Sequence, residues 1–120
     1  MNKNKKIALL GCGNWGKNIA RNLSNLDCLS CIYDLNKNVS DQLNKNYGLH
    51  KLSIDEIIKS KEIDAVVIAS SAITHKNLAK KALLNNKDVL IEKPFCLSLS
   101  DANDLSKLAI EKEKILMVGH

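Results

Sequence analysis

Gly11-Cys12-Gly13-Asn14-Trp15-Gly16 is a G-x-G-x-x-G placed directly after the apolar run Ile7-Ala8-Leu9-Leu10. The spacing alone also occurs in ordinary loops. Here a helix pattern follows it in Asn18-Ile19-Ala20-Arg21-Asn22-Leu23, and an acid, Asp34, closes the next strand pattern 18 residues after Gly16. Strand, glycine turn, helix, strand and acid in that order describe a dinucleotide site. Gly11 allows the tight turn, Gly13 lets the backbone approach a pyrophosphate with no Cβ in the way, and Gly16 lets the helix lie close to the strand. The first amides of that helix have no intrahelical partner, and the helix dipole adds roughly half a positive charge there, so phosphates are favoured even without a lysine. Asp34 is placed to accept hydrogen bonds from both ribose hydroxyls. A 2′-phosphate would set negative charge against it, so the pattern reads as NAD in preference to NADP, with Asn36 and Lys37 close enough to soften the preference.

The 120 residues and 13.3 kDa fit one domain, spanning 1–120, with 45% hydrophobic residues as in soluble globular proteins. No apolar run approaches the roughly 18 residues of a membrane span, and Met1-Asn2-Lys3-Asn4-Lys5-Lys6 leads into a strand pattern too short for a signal-peptide core. A cytoplasmic protein with no membrane partner is the expectation. The net charge of +5 comes from 18 basic and 13 acidic residues, and the only arginine is Arg21. Nucleic-acid binding calls for clustered arginines and stacking aromatics, and aromatics make up 3% of the chain, so the lysines read as a solvated surface. Cys28-Leu29-Ser30-Cys31 has C-x-x-C spacing, but no second pair completes a zinc site, and the pair enters a strand pattern instead of opening a helix. With Cys12 and Cys96, these cysteines read as small core fillers in a reducing compartment, and no metal is expected.

Outward from the glycine turn, strand and helix patterns alternate. Strands are expected near Lys6 to Leu10, Leu29 to Tyr33, Ile63 to Ala69, Val89 to Ile91 and Ile115 to Val118. The first helix is expected to run to about Leu26 with Ile19, Ala20, Leu23 and Leu26 on one face. A second, from about Val39 to Tyr47, is poor in apolar residues and reads as an outer element with little cover, stopped by Gly48. Leu49 to Leu52 reads as a short edge strand, and Ser53-Ile54-Asp55-Glu56 has the form of a capping box opening a short helix. Further helices are expected from His75 to Asn85 and from Ser100 to Glu111. This alternation predicts an α/β fold, a doubly wound parallel sheet with right-handed crossovers. Ligands of such sheets bind beyond the carboxyl ends of the strands, which would gather Gly11, Asp34, Ser70, Glu92, Lys93, Gly119 and His120 along one edge.

The glycine turn, Ala69-Ser70 with His75 just beyond, and above all Glu92-Lys93-Pro94 resemble the NAD(P)-dependent oxidoreductases grouped around glucose-fructose oxidoreductase, inositol 2-dehydrogenase and MocA. Gly13-Asn14-Trp15-Gly16-Lys17 and the closing Leu116-Met117-Val118-Gly119-His120 look most like the branch that oxidises the sugar 3-hydroxyl of UDP-N-acetylglucosamine or its uronic acid. The resemblance covers the whole chain; Ser71 stands where the family often has proline. It implies a Rossmann domain holding NAD through Gly11, Gly13, Asn14, Trp15, Gly16, Asp34, Ser70, His75, Glu92 and Lys93. It also implies hydride transfer between a sugar or sugar-nucleotide hydroxyl, at C3 by the branch, and nicotinamide.

In that reading Lys93 is the catalytic residue, lying between nicotinamide and substrate, where its ammonium hydrogen-bonds the reacting hydroxyl and stabilises alkoxide charge. A surface lysine before a proline is the alternative. Glu92 either holds that ammonium, contacts the cofactor, or is a strand-end charge; His75 caps or orients; His120 faces the nicotinamide or frays; His50 is exposed. Trp15 packs over the diphosphate, against a second domain, or in the core. The family's second α/β domain holds the sugar and an acid/base histidine, and the given chain stops at His120, where that domain would begin. The expectation is therefore an isolated or truncated cofactor half that meets a sugar substrate only if a second domain is supplied, with a catalytically inactive NAD-binding module as the alternative. Apolar groups near Trp15, Phe95 and Met117 would then be exposed, favouring self-association.

Overall fold

A computed structural model of the chain describes residues 4–12, 14–93, 95–96 and 98–119, with Asn14 and Trp15 described by their helical backbone alone. Five strands, β1 (Ile7–Leu10), β2 (Leu29–Tyr33), β3 (Ala65–Ile68), β4 (Asp88–Ile91) and β5 (Leu116–Val118), form one sheet in the order β2-β1-β3-β4-β5. Every pairing is parallel. The helices between them are α1 (Asn14–Asn25), α2 (Lys37–Tyr47), α3 (Ile54–Lys59), α4 (His75–Leu84) and α5 (Leu99–Lys112), with a 3-10 turn at Ala72–Thr74.

The strands are apolar on both faces because both are covered. Leu9, Ile32 and Val67 point to one face, where they bury Cys12 and Ala20 together with Ile19, Leu23, Val39 and Leu43 of α1 and α2. Ala8, Leu10, Cys31, Val66, Ile68, Val89 and Ile91 point to the other, against Ile57 and Ile58 of α3, Ala79, Ala82 and Leu83 of α4, and Leu105 and Ala109 of α5. Cover on the first face thins out over the last two strands: Leu90 is half-buried and Met117 is 59% exposed. Phe95, expected beside Met117 on an exposed surface, is instead half-buried against the core.

Local chemistry sets the boundaries. Ser53 and Glu56 make both halves of the capping box, and Gly48 closes α2 at φ +68. Helix α2 starts two residues earlier than its apolar pattern suggested, because Asn36 caps it by accepting from the amides of Asn38 and Val39. Leu26 falls beyond the end of α1 and is exposed, unlike Ile19, Ala20 and Leu23.

The region 49–52 forms no strand. The outer edge of β2 is already occupied: the buried Asn44 side chain of α2 accepts from the Ile32 amide at 3.0 Å and donates to the Ile32 carbonyl at 2.8 Å. An amide pairing with both backbone groups of an edge residue takes the place of a ladder partner. It also holds α2 on the sheet, so this helix is anchored by a buried polar group where apolar cover is sparse.

Lys87 is 2% exposed, and its Nζ donates to the carbonyls of Ser60 at 2.6 Å and Ile63 at 2.8 Å, joining the end of α3 to the start of β4. Burial lowers its pKa against the opposing pull of Asp64, so the folded ammonium loses its proton before the unfolded one and stability rises with pH across that alkaline window. Lys87→Met keeps the stem and strands two carbonyls. It is expected to cost about 2–4 kcal/mol, read as a lower urea midpoint at unchanged slope.

Candidate functional site

Strand order reverses between β1 and β3: the chain leaves β1 to one side for β2 and returns to the other for β3. The crevice beyond the carboxyl ends of these two strands is where an open parallel sheet takes a ligand. A cavity of about 630 Å³ opens there, within the range of small-molecule sites. Its floor is Leu10, Gly11 and Cys12 after β1 and Ala69 and Ser70 after β3; Asp34 and Leu35 after β2 and Ile73 and Thr74 of the 3-10 turn form its sides.

Gly11 has φ +93, and a Cβ there would lie 2.4 Å from the Ser70 amide nitrogen, so the ends of β1 and β3 touch backbone to backbone. A Cβ on Gly16 would stand 2.9 Å from the Gly11 carbonyl oxygen, which is the close approach of helix to turn expected from the motif. Asp34 joins the second strand to this turn. Its Oδ2 accepts from the Cys12 amide at 2.7 Å and its Oδ1 from the Asn36 amide at 2.8 Å. Each carboxylate oxygen keeps a lone pair for a further donor.

The Cys12 thiol beside this carboxylate is pushed up by burial first and by the Asp34 charge second, so it stays protonated and unreactive. Cys31, deep in the core, is pushed up to about 12 by burial. These two are core fillers; Cys28 and Cys96 are only half-buried. No acid stands in the first turn of α1, so the positive end of that helix is not neutralised by its own side chains.

His75 is 1% exposed at the start of α4, with Nε2 at 2.8 Å from the Ser70 carbonyl oxygen and Nδ1 at 3.2 Å from the Phe95 carbonyl oxygen. Glu92 and Lys93 follow β4 at the same edge of the sheet. The Glu92 carboxylate lies across Gly119, where a Cβ would stand 2.8 Å from its Oε1, and Lys93 is exposed in a bend. The structure therefore places Gly11, Asp34 and Ser70 together in the cavity wall, and sets Glu92 and Lys93 outside it. Gly13, the side chains of Asn14 and Trp15, Pro94 and His120 lie outside the described residues.

The fold, the crevice and the acid tied to the glycine turn are those of a Rossmann domain, and a family model described as an oxidoreductase family with an NAD-binding Rossmann fold matches residues 5–120. The chain belongs to the Gfo/Idh/MocA oxidoreductases. This Gfo/Idh/MocA chain is 34% identical over 119 residues to scyllo-inositol 2-dehydrogenase (NAD(+)) of Bacillus subtilis, covering 95% of the chain and 35% of that protein.

Among solved structures it resembles UDP-N-acetylglucosamine 3-dehydrogenase GnnA of Acidithiobacillus ferrooxidans, with a TM-score of 0.91, 27% identity, and 99% of this chain against 39% of that one. It also resembles GenD2 from gentamicin A biosynthesis in complex with NAD, with a TM-score of 0.92, 27% identity, and 99% of this chain against 35% of that one. The chain thus spans about a third of the length of the relatives it matches. Its cofactor is a nicotinamide dinucleotide of the NAD(P) type, and NAD fits. Among the described residues, no helix is long and apolar enough to cross a membrane.

Leu35, Ile73, Ile54 and Leu78 give the cavity its apolar lining; Ile54 and Leu78 read as core-facing helix positions, and Leu35 and Ile73 did not stand out in the sequence. Leu35 and Ile73 are 83% and 74% exposed, in loops on the two sides of β1. A large apolar residue directly after the acid, and another in the loop after the third strand, were the available signals.

Proposed function

We propose that this chain is the NAD-holding half of a sugar or sugar-nucleotide dehydrogenase, passing hydride between a hydroxyl-bearing carbon, C3 by its branch resemblance, and nicotinamide. The observation that carries the reading is the cavity between β1 and β3, with a carboxylate bonded to the glycine turn on one side and apolar loops around it. The adenosine half of NAD would fit it, with Asp34 to accept from the ribose hydroxyls, Leu35 and Ile73 beside the adenine, and Ser70 near the sugar-phosphate. The pyrophosphate would be held by the glycine turn, where Gly13, Asn14 and Trp15 belong, and by the start of α1, whose first turn carries no acid of its own.

Bound NAD supplies the hydride acceptor. Lys93, exposed after β4, then donates a hydrogen bond to the reacting hydroxyl and stabilises its alkoxide as the proton leaves, and Glu92 keeps negative charge near that ammonium. The sugar and a proton acceptor come from a second domain, since the relatives are about three times as long.

Calorimetric titration with NAD+ and NADP+ tests the cofactor part. Saturable NAD+ binding is expected, with NADP+ weaker by about tenfold or more. Lys93→Met should bind NAD+ within about threefold of the parent chain, since Lys93 lies outside the cavity. NADH formation from UDP-N-acetylglucosamine, its uronic acid, myo-inositol and glucose, measured with the second domain present, tests the substrate part. The reading expects the sugar nucleotides to react there and Lys93→Met to be silent; NAD+ binding with no turnover on any of the four in that form supports an inactive binding module.

A further inference from the structure

The loop that borders the cavity and the loop that carries Lys93 are joined through one side chain. His75 stands on α4 behind both, 1% exposed, with Nε2 on the Ser70 carbonyl at 2.8 Å and Nδ1 on the Phe95 carbonyl at 3.2 Å. Ser70 lines the cavity, and its hydroxyl is bound at 2.7 Å to Thr74, whose own hydroxyl donates to the Ser71 carbonyl at 2.6 Å. The 70–74 loop is therefore tied across itself by two hydroxyl hydrogen bonds. Phe95 sits two residues past Lys93, and Glu92 is fixed to the sheet by its amide on the Ile68 carbonyl at 2.9 Å. Lys93 thus follows a residue tied to β3 and stands two residues before one whose carbonyl oxygen is in contact with the His75 ring. Displacement of Ser70 reaches the bend at Lys93 through a rigid ring whose two nitrogens are fixed in separation.

We propose that His75 is a positioning residue that couples occupancy of the adenosine cavity to the placement of Lys93. Filling the cavity presses on the 70–74 loop, and the imidazole carries the shift to the Phe95 carbonyl and so to the lysine. The inference rests on the proposed roles of the cavity and of Lys93. It assigns to a buried histidine a function distinct from filling the core, since coupling of this kind requires an element on which both sites act.

AMP tests the coupling, because it fills an adenosine cavity and carries no nicotinamide to touch Lys93 directly. In the 15N-labelled chain titrated with AMP, amides of Ser70 and Ser71 report the cavity, and those of Lys93, Phe95 and Cys96 report the far bend. Both groups are expected to shift along one saturation curve. His75→Gln sets a side-chain amide near the position of Nε2 and leaves no polar atom at that of Nδ1. It should bind AMP within about threefold of the parent chain and keep the Ser70 and Ser71 shifts, while those at the bend fall to less than half. A folded His75→Gln chain with full shifts at Lys93, Phe95 and Cys96 overturns the coupling and leaves His75 a structural residue. So does a parent chain whose Ser70 and Ser71 respond while the bend stays still. Silence at Ser70 and Ser71 with both AMP and NAD+ overturns the cofactor reading itself, a separate result.

Discussion

Gly11→Ala is expected to destabilise the chain by about 3–5 kcal/mol, a large share of the 5–15 kcal/mol that holds most domains together. Two effects act together. The backbone at Gly11 has φ +93, a conformation L side chains rarely adopt, and the new Cβ would meet three backbone atoms, Ser70 N at 2.4 Å, Ser70 Cα at 2.6 Å and Ala69 C at 2.7 Å. Backbone cannot swing away as a side-chain tip can. Relief requires parting β1 from β3, where the Ala69 amide donates to the Leu10 carbonyl at 2.8 Å in the centre of the sheet. Gly48→Ala separates the two contributions, because Gly48 also has positive φ but nothing stands within 4 Å of its Cβ position. Strain alone should cost about 1 kcal/mol there. Urea unfolding of both variants checks the contrast; equal costs would mean that the contact with Ser70 is readily relieved.

The order of strands and helices was readable because each strand is apolar on both faces and each helix has one apolar face, and these periods survive without knowledge of the partner. Ile54, Ile57 and Ile58 behind a capping box, or Ala79, Ala82 and Leu83 along α4, have a spacing determined locally, and they pack on the core. The misread stretch, 49–52, failed for a long-range reason. Whether an apolar segment pairs with β2 depends on whether the Ile32 amide and carbonyl are free, and they are taken by Asn44, a polar residue whose burial no periodicity reveals. Phe95 was misjudged similarly, since its cover comes from packing against a core assembled from distant elements.

For the site, the residues whose work is done by backbone freedom or by charge stood out in the sequence: Gly11, Gly16 and Asp34. Leu35 and Ile73 did not, because an exposed apolar residue in a loop looks the same whether it lines a cavity or merely faces water. Only the placement of β2 and β3 on either side of β1 brings them to one crevice. His75 was readable as a residue that caps or orients, yet its partners, Ser70 and Phe95, belong to loops that the parallel sheet alone brings together.

Asp34→Ala is expected to weaken NAD+ binding by about 100-fold, equivalent to ~2.7 kcal/mol, through loss of charge-assisted bonds to the ribose hydroxyls. NADP+ should lose far less, because its 2′-phosphate gains relief from the carboxylate as it loses an acceptor, so the preference between the two cofactors narrows toward parity. The variant also removes the acceptor of the Cys12 and Asn36 amides, both at under 3 Å. Asn36 is exposed and Asp34 half-buried, so water replaces one acceptor, while the amide of buried Cys12 loses its partner; the cost to folding is expected to be about 1–2 kcal/mol. Asp34→Asn discriminates between the two duties. Its one remaining side-chain oxygen still accepts from the Cys12 amide and preserves the turn, but it carries no charge toward the cofactor. Calorimetry on Asp34→Asn should therefore show NAD+ binding intermediate between the parent and Asp34→Ala, with the unfolding midpoint nearly restored. NAD+ affinity in Asp34→Asn as low as in Asp34→Ala, at full stability, would place the whole contribution in the negative charge; full affinity in both variants would remove Asp34 from the cofactor site.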